Sequence, residues 1–191
     1  MKPFRCMLGL VLGALCLGPV LAGGDNTPPA GFKALFNGKD LTGWKGKQPN
    51  WKVVDGVIVY DGKAGDLATD RKDFKNFILH VDWKIEKGGD SGIFPRGQAQ
   101  VQIWDNKEGS GGLWNHGVKA LKNADKKIGE WNHFEITVEK QYITVKLNGE
   151  TVVEKTDKMF AKSKKAEGPI VLQHHGNPLW FKNIYIKELP E

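Results

Sequence analysis

Four short stretches of this sequence gather side chains that bind hydroxyls or move protons. His80 and Asp82 stand two residues apart, Gln100, Gln102 and Trp104 alternate along a second stretch, and Gln173 and His175 repeat the spacing in a third. Between the first two lies Gly88-Gly89-Asp90-Ser91-Gly92-Ile93-Phe94-Pro95-Arg96, a glycine-rich loop with a carboxylate, a hydroxyl and a guanidinium. A spacing of two puts each set on one face of a β-strand. Amides and carboxylates bind hydroxyls, and an indole stacks on the apolar face of a pyranose, so the combined set suits a sugar. The bland alternative is that each polar face only meets solvent, as antiparallel sheets allow. Such faces favour Lys, Glu and Thr, as at Thr144 and Lys146, and not a run of Gln and His.

Roles follow from the chemistry of each group. His175 is the expected general base, because imidazole titrates near neutral pH. The planar fork of Arg96 suits a sugar hydroxyl or the Asp90 carboxylate. Asp82 is the alternative base, and with His80 it forms the expected weak site for Ca²⁺, Mn²⁺ or Zn²⁺. Asp90, Ser91, Gln100 and Gln102 are expected to bind substrate. So are Trp104, Asp105, Gln173 and Trp114. Both histidines as hydrogen-bonded scaffold residues is the competing reading.

The elements that must position these groups are strands. Trp51–Val54 and Val57–Tyr60 flank an Asp55-Gly56 turn, and Tyr142–Leu147 and Thr151–Glu154 flank Asn148-Gly149. Ile78–Ile85 alternates Leu79, Val81, Trp83 and Ile85 against His80, Asp82 and Lys84. Trp131–Glu139 places Asn132 on one face with Phe134, Ile136 and Val138, and further strands are expected at Ile170–His175 and Trp180–Leu189. The best helical candidate is the Lys-rich stretch near 157–165. Short strands with one apolar and one polar face predict an all-β, two-sheet antiparallel sandwich. For one site to form, Ile78–Ile85, Gln100–Trp104 and Ile170–His175 are expected in the same sheet.

The chain has 191 residues, with 24 Gly, 9 Pro and 7 Trp, a profile of many strands joined by tight turns in one domain. Lys2 and Arg5, an apolar run from Met7 to Leu21, and Ala22 have the order of a secretory signal. Residues 1–22 are therefore expected to be removed on export, residues 23–30 to form a flexible linker, and residues 31–191 to form the domain. Removal takes Cys6 and Cys16, leaving no thiol chemistry, and lowers the net charge from +6 to +4. That mild, scattered charge gives no basis for a nucleic-acid partner, and no later run is long enough for a membrane helix. Phosphate-loop, dinucleotide and serine-hydrolase motifs are absent.

With these residues in view, the sequence resembles the 3-keto-disaccharide hydrolase family, formerly DUF1080. The resemblance runs through Gly31-Phe32-Lys33-Ala34-Leu35-Phe36-Asn37-Gly38-Lys39-Asp40-Leu41-Thr42-Gly43-Trp44, Asp90-Ser91-Gly92-Ile93 with Arg96, and Gln100-Val101-Gln102-Ile103-Trp104-Asp105. It continues through Gly129-Glu130-Trp131-Asn132 and Gly168-Pro169-Ile170-Val171-Leu172-Gln173-His174-His175-Gly176. The resemblance implies a jelly-roll sandwich of the concanavalin or glucanase type. It also implies a secreted or periplasmic enzyme acting on glycosides already oxidised at C3. A ketone at C3 acidifies the hydrogen on C2, so a base can drive elimination of the aglycone from C1, and water then adds. A base at C2, a cation or Lewis acid for the enolate and help for the leaving group would suffice, in place of two flanking carboxylates. No cofactor motif for the oxidation is present, so a separate sugar 3-oxidoreductase is the implied functional partner. The sequence departs from the family where Tyr-Glu-Val-Gln is common: it reads Ala99-Gln100-Val101-Gln102. An amide thus replaces a carboxylate, and a non-catalytic carbohydrate-binding module is the alternative function.

Overall fold

The computed structural model describes residues 25–46, 50–63, 65–114, 116–157 and 165–191. The expected export signal and most of the Lys-rich stretch lie outside them. Period-two alternation does yield strands, and these form two antiparallel sheets.

The larger sheet runs in the order β12 (Glu150–Thr156), β11 (Tyr142–Leu147), β10 (Asn132–Glu139), β6 (Phe77–Ile85), β14 (Leu179–Glu188), β4 (Val57–Tyr60) and β3 (Trp51–Val54), with β1 (Lys33–Ala34) also on β14. The smaller runs β2 (Trp44–Gly46), β5 (Leu67–Thr69), β13 (Val171–Leu172), β7 (Asp90–Phe94), β8 (Gln100–Trp104) and β9 (Leu113–Trp114). Both expected hairpins form. Asp55 and Gly56, and likewise Asn148 and Gly149, take the positive φ that a two-residue turn between twisted strands requires. Among the described residues the helical content is one 3-10 turn, Pro95–Gly97.

The sheets pack through their apolar faces. Leu79, Val81 and Trp83 of β6 meet Val101 and Ile103 of β8 in one buried cluster, with the Trp83 and Phe134 rings 5.4 Å apart. Burial of each such side chain stabilises the fold by roughly 1.5–3 kcal/mol.

This packing corrects the expected sheet membership. β6 belongs to the larger sheet, whereas β7, β8 and β13 are neighbours in the smaller one. Strands that share a core through their apolar faces must turn their polar faces to opposite exteriors, so His80 and Asp82 lie on the far side of the molecule from Gln100 and Gln102. Part of the expected linker is also tied down. Asn26 exchanges hydrogen bonds with Asn183 and donates to the Gly56 carbonyl at 2.8 Å.

Candidate functional site

The outer face of the smaller sheet carries the chemistry. β8 turns Gln100, Gln102 and Trp104 outward, and the register sets Trp114 beside Gln100, Gly92 beside Gln102 and Asp90 beside Trp104. β13 is shorter than expected, but the Gln173 amide still donates to the Gly92 carbonyl at 2.9 Å, keeping Gln173 in register.

These side chains form one chain of hydrogen bonds. Gln100 Nε2 donates to Gln173 Oε1 at 2.7 Å and lies 2.9 Å from both Gln102 Oε1 and the Ser91 carbonyl. Gln102 Nε2 donates to Asp90 Oδ1 at 2.8 Å, and Asp90 Oδ2 faces His175 Nε2 at 4.0 Å. Gln100 and Gln102 are only 5% and 6% exposed, so they lie beneath the reactive surface. Asp90 and His175 are the accessible end. Burial holds the Asp90 carboxyl above its ordinary range, while His175 and the Gln102 bond pull it back down.

Gly92 makes this arrangement possible. A Cβ there would stand 2.3 Å from Gln100 Cγ and 2.5 Å from its Nε2, so the Gln100 side chain occupies the space that glycine leaves. Beside the network opens a cavity of about 250 Å³, lined by Gln102, Trp104, Leu113, Trp114 and Lys119. Trp104 and Trp114 meet edge to face at 5.7 Å, and Trp114 is 47% exposed. Two indoles beside a buried amide layer and a carboxylate–imidazole pair can bind a sugar ring and remove a proton from it.

The structure thus brings together Asp90, Gln100, Gln102, Trp104, Trp114, Gln173 and His175. It places the remaining candidates elsewhere. Ser91 is fully buried and points to the core side, where its hydroxyl donates to the Gln173 carbonyl at 2.8 Å. Asp105 follows β8, accepts from the Gly88 amide at 2.7 Å and lines a second cavity.

Arg96 turns inward at 2% exposure, donating to the carbonyls of Lys75, Lys140 and Ala166 at 3.2, 2.7 and 2.6 Å. It is a staple for three loops and not a substrate ligand. Lysine cannot reproduce its fork. Arg96→Lys is therefore expected to lower unfolding free energy by about 1–3 kcal/mol, leaving kcat/KM per folded molecule unchanged. Denaturant titration beside active-site-normalised kinetics checks this.

His80 and Asp82 do not form the expected metal site. Asp82 Oδ1 is 2.6 Å from His133 Nδ1, and its Oδ2 accepts from Asn183 Nδ2 at 2.6 Å, so both oxygens are engaged. The His80 ring lies 4.4 Å from Phe32, with its Nε2 3.6 Å from Glu135. Nor can Asp82 act as a base for a substrate on the opposite face. Among the described residues, no group of three or more His, Cys, Asp or Glu side chains is placed to hold a metal.

His80 instead makes stability depend on pH. Burial first, then the charge of His133, lowers its pKa from the ordinary 6.5, with Glu135 and Asp82 opposing. The unfolded chain then takes up the proton before the folded one does, so this stability is present above pH 6.5 and is lost as pH falls below it. Unfolding free energies measured at pH 7.5 and 5.5 are expected to differ in that direction, and His80→Gln is expected to flatten the difference.

Comparison with known proteins gives the family and the fold. Residues 31–187 match the family described as 3-keto-alpha-glucoside-1,2-lyase-like domain. A Bacteroides thetaiotaomicron protein named 3-keto-disaccharide hydrolase is 29% identical, over 83% of this chain and 79% of its own length. Two crystal structures of candidate glycosyl hydrolases from Parabacteroides distasonis superpose closely. One has a TM-score of 0.76 at 25% identity, covering 87% of this chain and 100% of that one. The other has 0.71 at 29%, covering 83% and 99%. The carbohydrate-binding module CBM66 from Bacillus subtilis shares the fold alone, with a TM-score of 0.55 at 14% identity over 76% of this chain and 96% of its own. Among the described residues no helix is long and apolar enough to cross a membrane.

Proposed function

We propose that this chain, which belongs to the 3-keto-alpha-glucoside-1,2-lyase-like domain family, cleaves 3-keto-glycosides on the outer face of its smaller sheet. The observation that carries the reading is the Asp90–His175 pair, whose carboxylate Gln102 holds, on the sheet face that also carries two indoles.

His175 takes the proton from C2, and the C–H electrons form the enolate across C2, C3 and the keto oxygen. The enolate collapses to a C1=C2 double bond, and the C1–O bond breaks with its electron pair leaving on the aglycone. Asp90 stabilises the imidazolium formed in the first step, and Gln102 fixes the carboxylate that does so. Water then adds to the unsaturated keto sugar, so the net change is hydrolysis. Trp104 and Trp114 hold the ring. Gln100 is a supporting group here: its amide nitrogen lies within hydrogen-bond distance of Gln173 Oε1, Gln102 Oε1 and the Ser91 carbonyl.

The binding-module reading draws on Gln100 and on the shared fold of CBM66. One assay separates the two. The protein is mixed with a 3-keto-glucoside and with the unoxidised glucoside, each with and without chelator. Release of aglycone from the keto substrate alone supports the proposal, and loss of that release with chelator would add a divalent ion to it. Retention of intact keto-glucoside would establish binding without catalysis. The segment from Lys2 to Ala22 supports a secreted or periplasmic location, with a separate 3-oxidoreductase supplying the substrate.

A further inference from the structure

A second cavity, of about 210 Å³, opens at the end of the sandwich, and Trp104 and Asn106 line both it and the first. Its walls carry polar groups whose hydrogen bonds are incomplete. Trp83 is 1% exposed, yet its Nε1–H has no partner among the described residues, and the same is true of the buried Asp125 Oδ1. Asn132, 4% exposed, uses its Oδ1 to accept from the Lys126 amide and Asn148 Nδ2, while its own Nδ2 reaches the Glu130 carbonyl only at a long 3.5 Å. Buried donors and acceptors left without partners cost stability, so such groups in a native fold need an explanation.

The pattern selects the ligand. Asp105 and Glu130, Lys126 and Lys127, and Asn106 and Asn123 line the same space as Trp83, Asn132 and Asp125. Donors and acceptors of both charges around one space suit hydroxyl groups, which accept and donate together. The volume is below the roughly 300–1,000 Å³ of drug-sized pockets, and the apolar edges of Trp104 and Ile85 line it as well. A single sugar ring fits these demands.

We propose that this cavity is a second sugar subsite, binding the leaving-group sugar of a disaccharide whose oxidised ring lies in the first cavity. The inference rests on the proposed function for the order of the two rings, but the binding itself does not. A substrate with a sugar leaving group spans Trp104, with Trp83, Asn132 and Asp125 reading its hydroxyls. An aryl glycoside fills only the first cavity.

The test uses the full chain and free glucose. In ¹⁵N–¹H spectra, the Trp83 indole N–H is identified by its loss in Trp83→Phe. Glucose is expected to shift that resonance saturably. Asp125→Asn places a donor where the acceptor stood and is expected to weaken glucose about ten-fold. The same variant is expected to raise KM for a 3-keto-disaccharide while leaving an aryl 3-keto-glucoside unchanged. An unmoved Trp83 resonance at high glucose would mean that the cavity holds only water, and would overturn the inference. Equal glucose affinity in wild type and Asp125→Asn would do the same. If neither keto substrate is cleaved, the proposed function fails, while the glucose titration still decides the subsite. Should Trp83→Phe fold poorly, the Asp125→Asn comparison stands alone.

Discussion

His175→Gln is expected to lower kcat/KM on a 3-keto-glucoside by about 10²–10⁴-fold, the range for removing a positioned general base, with little change in melting temperature. The side chain of His175 is 55% exposed and stands at ion-pair distance from Asp90, so little packing is lost. Glutamine keeps a polar group of similar reach and removes the titration. Full activity with an unmoved profile would exclude His175 and transfer the role to Asp90, whose carboxyl burial already holds above its ordinary range.

Gly92→Ala is expected to cost about 1–3 kcal/mol of stability, as overpacking does, and to abolish most activity. Its Cβ would stand within 2.3 Å of Gln100 Cγ. Gln100 must then leave the sites where it holds Gln173 and Gln102, and Gln102 loses the support that aims it at Asp90. Adding Gln100→Ala should relieve the clash and restore stability, but not turnover. Recovery of both in the double variant would show that the glutamine layer does not position the catalytic pair.

The two-sheet architecture was legible because period-two alternation states which face of each strand is apolar. Sheet membership was not legible. The polar face of β6 resembles that of β8 in composition, and alternation says nothing about which sheet a strand joins. Pairing between distant segments such as β7 and β13 decides that, and it placed His80 and Asp82 on the opposite exterior. Arg96 was misread because a guanidinium in a glycine-rich loop serves carbonyls as well as it serves substrate, and only its inward turn distinguishes the two. Gly92 could not be read at all, since its role is the space it leaves for Gln100. Asn132 did carry a signal, as a lone amide on the face shared by Phe134, Ile136 and Val138. A polar group facing the core marked the end cavity, and Asp125 had no such mark.

Deuterium at C2 tests the central claim most directly. Cleavage of a 3-keto-glycoside in D₂O by proton removal, elimination and rehydration must place solvent deuterium on C2 of the released keto sugar. Product incubated without enzyme for the same time corrects for spontaneous exchange. The account predicts close to one deuterium at C2 per turnover from the first turnovers onward, and none in the His175→Gln variant beyond the control. Rapid cleavage with C2 keeping its original hydrogen would mean direct displacement at C1, and would contradict the mechanism.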